Sequence, residues 1–288
     1  MLRGILGVLR SSPVFGAYVV MTLVVAGTVG LITIDVIDLG MSHLGTLEHR
    51  AHDVIYGLLF ATGVIGVVAQ VRRPERNVSA MVMALVPGAA LLLAAVLAGD
   101  VDGIVRRNPL RYVAALTVVV ALLHPSGRAF FRSFGRRRVN WAMAGLVGLA
   151  AVPLLASASG DLRLQRTVND MHAFMGHYAF GAALSFTVVA VGALASLRAD
   201  GWRVAAWAAG LLPAALGVTS MLYADSMSSL STTWALAALA WGIAFVGVAM
   251  RGGDPVRHEA GMVVEPRAGG KDLGGQSPEG EGIEVTRP

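Results

Sequence analysis

The chain of 288 residues contains no cysteine. Disulfide bonds, thiolate metal sites, thiolate-bound iron–sulfur clusters and a cysteine nucleophile are therefore excluded together. Any metal ion would have to be held by His, Asp, Glu or Met side chains. A Gly-x-Ser-x-Gly nucleophile elbow and a His-Glu-x-x-His zinc motif are also lacking. The sequence thus offers no local signature of a hydrolase.

Charged residues are scarce as well, at 14% of the chain against 55% hydrophobic residues, and the mean hydropathy is +0.66. A soluble domain of this length holds about a quarter charged residues, so the composition indicates an integral membrane protein. The isoelectric point near 10.2 does not indicate a nucleic-acid partner. The basic residues lie in short loops between apolar runs, where they set membrane topology.

Eight apolar stretches are long enough to cross about 30 Å of hydrocarbon. They cover residues 14–36, 49–71, 79–99, 109–124, 141–159, 172–197, 203–224 and 230–250. The expected fold is an all-α polytopic bundle of eight transmembrane helices. No acid or base lies deep within any of these predicted spans, whereas proton-coupled carriers often keep one there.

The distribution of basic residues predicts the orientation of the bundle. With the amino terminus in the cytoplasm, 17 of the 23 basic residues fall on the cytoplasmic side. Cytoplasmic loops attract Arg and Lys, so we expect a multi-pass protein of the cell membrane with both termini in the cytoplasm. Residues 251–288 are rich in glycine and charge and have no aromatic residue, which predicts a disordered cytoplasmic tail.

A shift of 125 residues lays the second half of the chain over the first. It pairs identical residues at several positions, including His52 with His177, Thr62 with Thr187, Arg73 with Arg198 and Asp100 with Asp225. Most other pairs are only apolar opposite apolar, so a duplication is suggested. Two four-helix halves, residues 1–127 and 141–250, would insert in the same orientation and be related by a pseudo-twofold axis along the membrane normal.

An Arg-rich linker, residues 128–140, joins the two predicted halves. Five arginines between Arg128 and Arg138 are what the positive-inside bias alone would place there. The alternative is that they contact anionic lipid headgroups. The expected partners are the lipid bilayer and, on this second interpretation, anionic lipid. A homo-oligomer is compatible with the sequence.

The repeated residues define a candidate site. The topology places His52, Asp100, His177 and Asp225 at the extracytoplasmic ends of their helices, and two imidazoles with two carboxylates form a suitable ligand set for a divalent transition-metal ion. The same helix ends lie in headgroups and water, where polar residues are easily tolerated, so the four groups could equally do nothing but meet water.

Further ligands, or residues that orient the ligands, are predicted at the start of the second span. Residues three or four apart share a helical face, which relates Glu48 and His49 to His52, and His49 to Asp53. In the sixth span, His172 and His177 are five residues apart. A continuous helix would place them about 140° apart, and on that basis they are not expected to hold one ion together.

Two other functions remain open from the sequence. His52 and His177, on different helices at one depth, are the arrangement that a b-type haem requires. Alternatively, Pro87 and Pro213 interrupt the third and seventh spans at nearly equivalent places, and paired helix breaks near midmembrane point to a small-solute transporter.

Two stretches carry a resemblance to a known family. The run Ser42, His43, Leu44, Gly45 and the helix led by His172 resemble a bacterial membrane family, that of domain of unknown function 998. The resemblance covers about a quarter of the chain. Eight spans and a duplication depart from the shorter architecture of that family, and the resemblance implies no activity.

Overall fold

The computed structural model describes residues 2–44, 50–106, 108–127, 129–135, 139–226 and 229–252, and the regular elements within them are all helical. The predicted tail, residues 251–288, lies outside the described residues beyond Gly252. The α-helices run as follows: α1 Leu2–Ser11, α2 Pro13–Leu44, α3 Arg50–Val68, α4 Val78–Ala98, α5 Leu110–Leu122, α6 Ala129–Gly135, α7 Trp141–Thr167, α8 Met171–Met175, α9 His177–Ser196, α10 Trp202–Leu222 and α11 Thr232–Arg251.

Seven of the described helices are long and apolar enough to cross a membrane, which confirms an all-α polytopic bundle. They are α2, α3, α4, α7, α9, α10 and α11. The count of eight is not confirmed, because α5 has only 13 residues. At 1.5 Å per residue it is about 20 Å long, less than the hydrocarbon thickness. It ends at Leu122, shortly before Pro125, which cannot continue a helix.

Two predicted boundaries are wrong in ways that matter for the site. Helix α7 does not stop at residue 159 but continues to Thr167, so it carries Asp161 within a membrane-spanning helix. Its last turns remain helical because Ala158, Leu162 and Gln165, spaced four and three apart, form a buried face. The sixth span does not begin as one helix at residue 172. It is divided at Gly176 into α8 and α9.

Four helices, α3, α4, α9 and α10, all contact one another and form the centre of the bundle. Helix α9 is the most enclosed of the spanning helices. Of the residues in its most apolar stretch, 72% are buried, against 17% for α7 and 22% for α11. The latter two helices therefore form the periphery, where apolar side chains such as Leu149 and Ile243 are exposed to the hydrocarbon. Along the chain, the central helices correspond to the second, third, sixth and seventh predicted spans.

The two ends of the central bundle are different. At one end, which we call the histidine end, α3 and α9 begin with His52 and His177 while α4 and α10 finish. At the opposite end, the first turn of α4 contacts the loop after α9. Ser79 donates its backbone N–H to Asp200 O at 2.8 Å, and its hydroxyl donates to Ala199 O at 3.2 Å.

A buried polar network also holds the opposite end. The Gln70 side chain is fully buried; its amide donates to Gly66 O at 3.0 Å and to Asn77 O at 3.2 Å, and its oxygen lies 3.3 Å from His124 Nε2. The Ser126 N–H donates to His124 Nδ1 at 3.3 Å, which assigns the proton of the neutral imidazole to Nε2. Burial lowers the pKa of His124 and favours this neutral form.

Replacing Gln70 with alanine is expected to destabilise the bundle by about 1 to 3 kcal/mol, because the His124 N–H would lose its acceptor in a buried position. The measurement is the thermal unfolding midpoint of the purified protein in detergent. Thr28→Val is the control, since the Thr28 hydroxyl makes only an exposed hydrogen bond to Val24 O within its own helix. Equal unfolding midpoints for the two variants would contradict the prediction.

Candidate metal centre

Three imidazoles meet at the histidine end: His52 from the first turn of α3, His172 from α8 and His177 from the start of α9. Their ring centroids are 4.7 Å apart for His52 and His177, 5.2 Å for His52 and His172, and 5.6 Å for His172 and His177. One nitrogen of each ring lies within 4.8 Å of the corresponding nitrogen of the others. His52 is buried and the other two are partly buried.

His172 joins this cluster because the helix is interrupted at Gly176. Gly176 has a φ of 78°, in the left-handed region that glycine adopts without steric cost, and it separates α8 from α9. The two histidines therefore do not lie on one continuous helix, so the assumption that separated them by about 140° is wrong, and their ring centroids are 5.6 Å apart. Sequence signals for the break exist, since Asp170 and Gly176 are typical residues for the two ends of a short helix.

Asp170 anchors α8 and faces His172. Its Oδ1 accepts the Ala173 N–H at 2.7 Å, its Oδ2 accepts the Tyr178 hydroxyl at 3.1 Å, and Oδ2 lies 3.7 Å from His172 Nδ1. The hydrogen bond from Ala173, supported by Tyr178 and His172, holds the pKa of Asp170 below its usual range. Asp170 is therefore a carboxylate beside the imidazole, and it was not among the predicted site residues.

The predicted carboxylates lie elsewhere. The Asp100 side chain is exposed and accepts the Gly103 N–H at 2.8 Å, so it stabilises the turn that follows it in the chain. Asp225 is exposed in the turn after α10, and the next residue, Ser226, accepts the Ala51 N–H at 3.3 Å. Asp53 is partly buried but does not belong to the histidine cluster. Glu48 and His49 lie outside the described residues.

Two aromatic side chains and a groove along α3 lie near the imidazoles. Tyr56 and Phe180, one turn into α3 and α9, pack edge to face with centroids 5.5 Å apart, and the Phe180 centroid is 6.3 Å from that of His177. An open groove of about 450 Å³ lies along α3 and is lined by Asp53, Val54, Gly57, Leu58 and Tyr223. The lining of this groove includes none of the three imidazoles.

The distances between the imidazoles suit a single metal ion better than a haem. Metal–imidazole bonds of about 2.0 to 2.1 Å hold two tetrahedral nitrogen ligands about 3.4 Å apart, which small rotations of these rings can reach. A haem bound between two such ligands would need ring centroids roughly 6 Å apart on opposite sides of the macrocycle. The His52 and His177 ring centroids are 4.7 Å apart, which is closer than a haem between them requires, so the observed spacing favours a single ion.

The proline positions do not divide their helices. Pro87 lies inside α4 and Pro213 inside α10, and both helices are continuous from end to end. The unwound, paired half-helices that form midmembrane solute sites are thus not seen at these prolines.

Comparison of the chain with protein-family models, with curated proteins and with solved structures finds no match. The class of protein is therefore defined by the structure alone, as a multi-pass membrane protein with a histidine cluster at one end of its bundle. The resemblance to the family of domain of unknown function 998 stays a prediction.

Proposed function

We propose that this protein binds one divalent transition-metal ion through His52, His172 and His177. The observation that carries the proposal is the convergence of three imidazoles, from three separate helices, with one nitrogen of each within 4.8 Å of the others. Imidazole ligands suit Zn²⁺, Cu²⁺, Ni²⁺ and Co²⁺, and not Mg²⁺ or Ca²⁺, which prefer oxygen ligands.

Asp170 is the residue that would orient His172 toward the ion. Metal-bound histidines usually direct their second ring nitrogen to a carboxylate, which fixes the tautomer and raises the basicity of the ligand. With Nδ1 of His172 facing Asp170 at 3.7 Å, Nε2 becomes the metal ligand. Three protein ligands leave a tetrahedral ion with a fourth position for water or another small ligand. This open position distinguishes the proposed site from a closed structural zinc site.

The proposal extends to the placement of the site. The positive-inside distribution supports an extracytoplasmic histidine end, with both termini in the cytoplasm of a cell-membrane protein. This placement counts the short helix α5 as an eighth crossing, because Asn108 before it contacts Tyr56 near the histidine end and His124 after it contacts Gln70 at the opposite end. The proposed internal duplication is supported by helix positions: a shift of 125 residues relates α2, α3, α4 and α5 to α7, α9, α10 and α11 within a few residues. Arg73 and Arg198, paired by the same shift, share positive φ values of 57° and 52°. A twofold axis between α3 and α9 would account for the pairing of His52 with His177.

Titration of the metal-free protein with Co²⁺ tests the proposal. We expect one Co²⁺ per chain, with the intense visible absorption of four-coordinate cobalt, and competition by Zn²⁺ but not by Mg²⁺. His124→Ala is the matched control, because this buried histidine lies at the opposite end of the bundle, and it should bind Co²⁺ like the unchanged protein. Absence of a saturable Co²⁺ signal at one equivalent would overturn the proposal.

A further inference from the structure

A carboxylate inside the membrane-spanning part of α7 points to the centre of the bundle. Asp161 lies six residues before the end of α7 at Thr167, or about 9 Å along the helix. Its side chain is partly buried and lies against the backbone of α9 at Gly181. A Cβ atom placed on Gly181 would be 2.6 Å from Asp161 Oδ2 and 3.2 Å from Cγ. Glycine at this position is therefore what lets the carboxylate approach α9.

The position of Gly181 relates Asp161 to the histidine cluster. Gly181 follows His177 by four residues, so the two lie on the same face of α9, about 6 Å apart along its axis. Tyr178, the residue after His177, lies within electrostatic range of Asp161 and donates its hydroxyl to Asp170. Asp161 thus lies against α9 one helical turn further along that helix than His177.

A charge at that place has a specific consequence for ion binding. Three neutral imidazoles contribute no negative charge, and a divalent ion in a partly buried site requires compensation. The basic residues of α7 near Asp161 are Arg163 and Arg166, both exposed and about 160° and 140° around the helix from Asp161, so neither shares its face. The charged or titratable groups toward α8 and α9 are Asp170, His172, His177 and Tyr178.

We infer that Asp161 is the buried counter-charge of the histidine site and selects divalent over monovalent ions. The inference rests on the proposed metal binding and adds a specificity-determining residue to it. Asp161 does not coordinate the ion. Because the Coulomb energy scales with the charge of the ion, the Asp161 carboxylate stabilises a divalent ion about twice as strongly as a monovalent ion at the same place.

The experiment compares Co²⁺ and Ag⁺ affinities of Asp161→Asn with those of the unchanged protein. We expect Asp161→Asn to lower the Co²⁺ affinity about tenfold or more, to lower the Ag⁺ affinity by about the square root of that factor, and to leave the cobalt spectrum unchanged. Asp161→Glu, which keeps the charge, should retain Co²⁺ affinity within a few-fold. The control is Asp102→Asn, since Asp102 is an exposed acid paired with Arg106 at 3.3 Å.

The possible outcomes distinguish a failure of this inference from a failure of the proposed metal binding. An unchanged protein that binds no Co²⁺ overturns both. If the unchanged protein binds Co²⁺ and Asp161→Asn binds it with the same affinity, only the role of Asp161 as counter-charge is overturned. An equal loss of Ag⁺ and Co²⁺ affinity in Asp161→Asn, or an altered cobalt spectrum, also overturns that role, because each indicates a structural effect. If Asp161→Asn does not fold, a loss of divalent selectivity in Gly181→Ala, whose added methyl group displaces the carboxylate, supports the inference, and unchanged selectivity contradicts it.

Discussion

The His52→Ala, His177→Ala double variant is expected to lose Co²⁺ binding in the micromolar range entirely. Two of the three imidazoles would be absent, and the remaining His172 could offer only one nitrogen to the ion. Even residues that only orient a metal ligand are worth about 10- to 100-fold in affinity, so two direct ligands should be worth considerably more. The measurement is cobalt absorption together with elemental analysis of protein loaded with Zn²⁺.

The single variant His172→Ala distinguishes the three-histidine cluster from the ligand set predicted from the sequence. If His52 and His177 alone formed the site, with Asp100 and Asp225 as the sequence predicts, removing His172 would have little effect. The observed cluster leads us to expect a loss of about 100-fold or more for His172→Ala, and no more than a twofold change for Asp100→Asn with Asp225→Asn. The reverse pattern would restore the ligand set predicted from the sequence and reject the three-histidine site.

The pairing of His52 with His177 was accessible from the sequence because it depends on two simple features. Each histidine begins a long apolar helix, and the 125-residue shift relates those helices. The third imidazole was not accessible in the same way, because its position depends on the left-handed backbone of Gly176. A single residue in that conformation redirects the chain, whereas helical periodicity assumes that the axis continues.

The carboxylates show a different reason for error. Asp100 has the residue type and depth that a metal ligand needs, but Asp readily accepts hydrogen bonds from nearby backbone N–H groups, and Gly103 provides one. Asp170 does the same with Ala173 and still faces His172, because its second oxygen is directed toward the cluster. Whether an Asp that accepts such a local hydrogen bond also faces the histidines depends on tertiary structure, which the local sequence does not specify. Asp161 escaped notice because α7 extends beyond its most apolar part.

The glycines between α10 and α11 support the second large prediction. Gly210 and Gly217, two turns apart on α10, and Gly242 on α11 allow the two backbones to approach closely. A Cβ atom on Gly210 would lie 2.7 Å from Gly242 O, one on Gly217 would lie 2.5 Å from Ala235 O, and one on Gly242 would overlap Gly210 O. Small residues at helix interfaces are a common basis of packing in membranes, where burial of apolar surface provides little driving force.

Gly242→Ala is expected to destabilise the protein by about 3 kcal/mol, at the upper end of the usual cost of overpacking, because the added methyl group meets a backbone carbonyl that cannot rotate away. The thermal midpoint in detergent should fall by roughly 10 °C. The matched control is Gly247→Ala on the same helix. A Cβ atom there meets nothing within 4 Å, so the better helix propensity of alanine should leave the midpoint unchanged or slightly raised.

The same substitution should also affect the proposed metal site, because α10 contacts both α3 and α9. In addition, Ser226 in the turn after α10 accepts the N–H of Ala51, the residue before His52. Displacement of α10 by Gly242→Ala would loosen that contact, and we expect a several-fold lower Co²⁺ affinity below the unfolding temperature. Gly247→Ala should bind Co²⁺ normally. If Gly242→Ala unfolds at the same temperature as Gly247→Ala, the close approach of α10 and α11 does not stabilise the bundle.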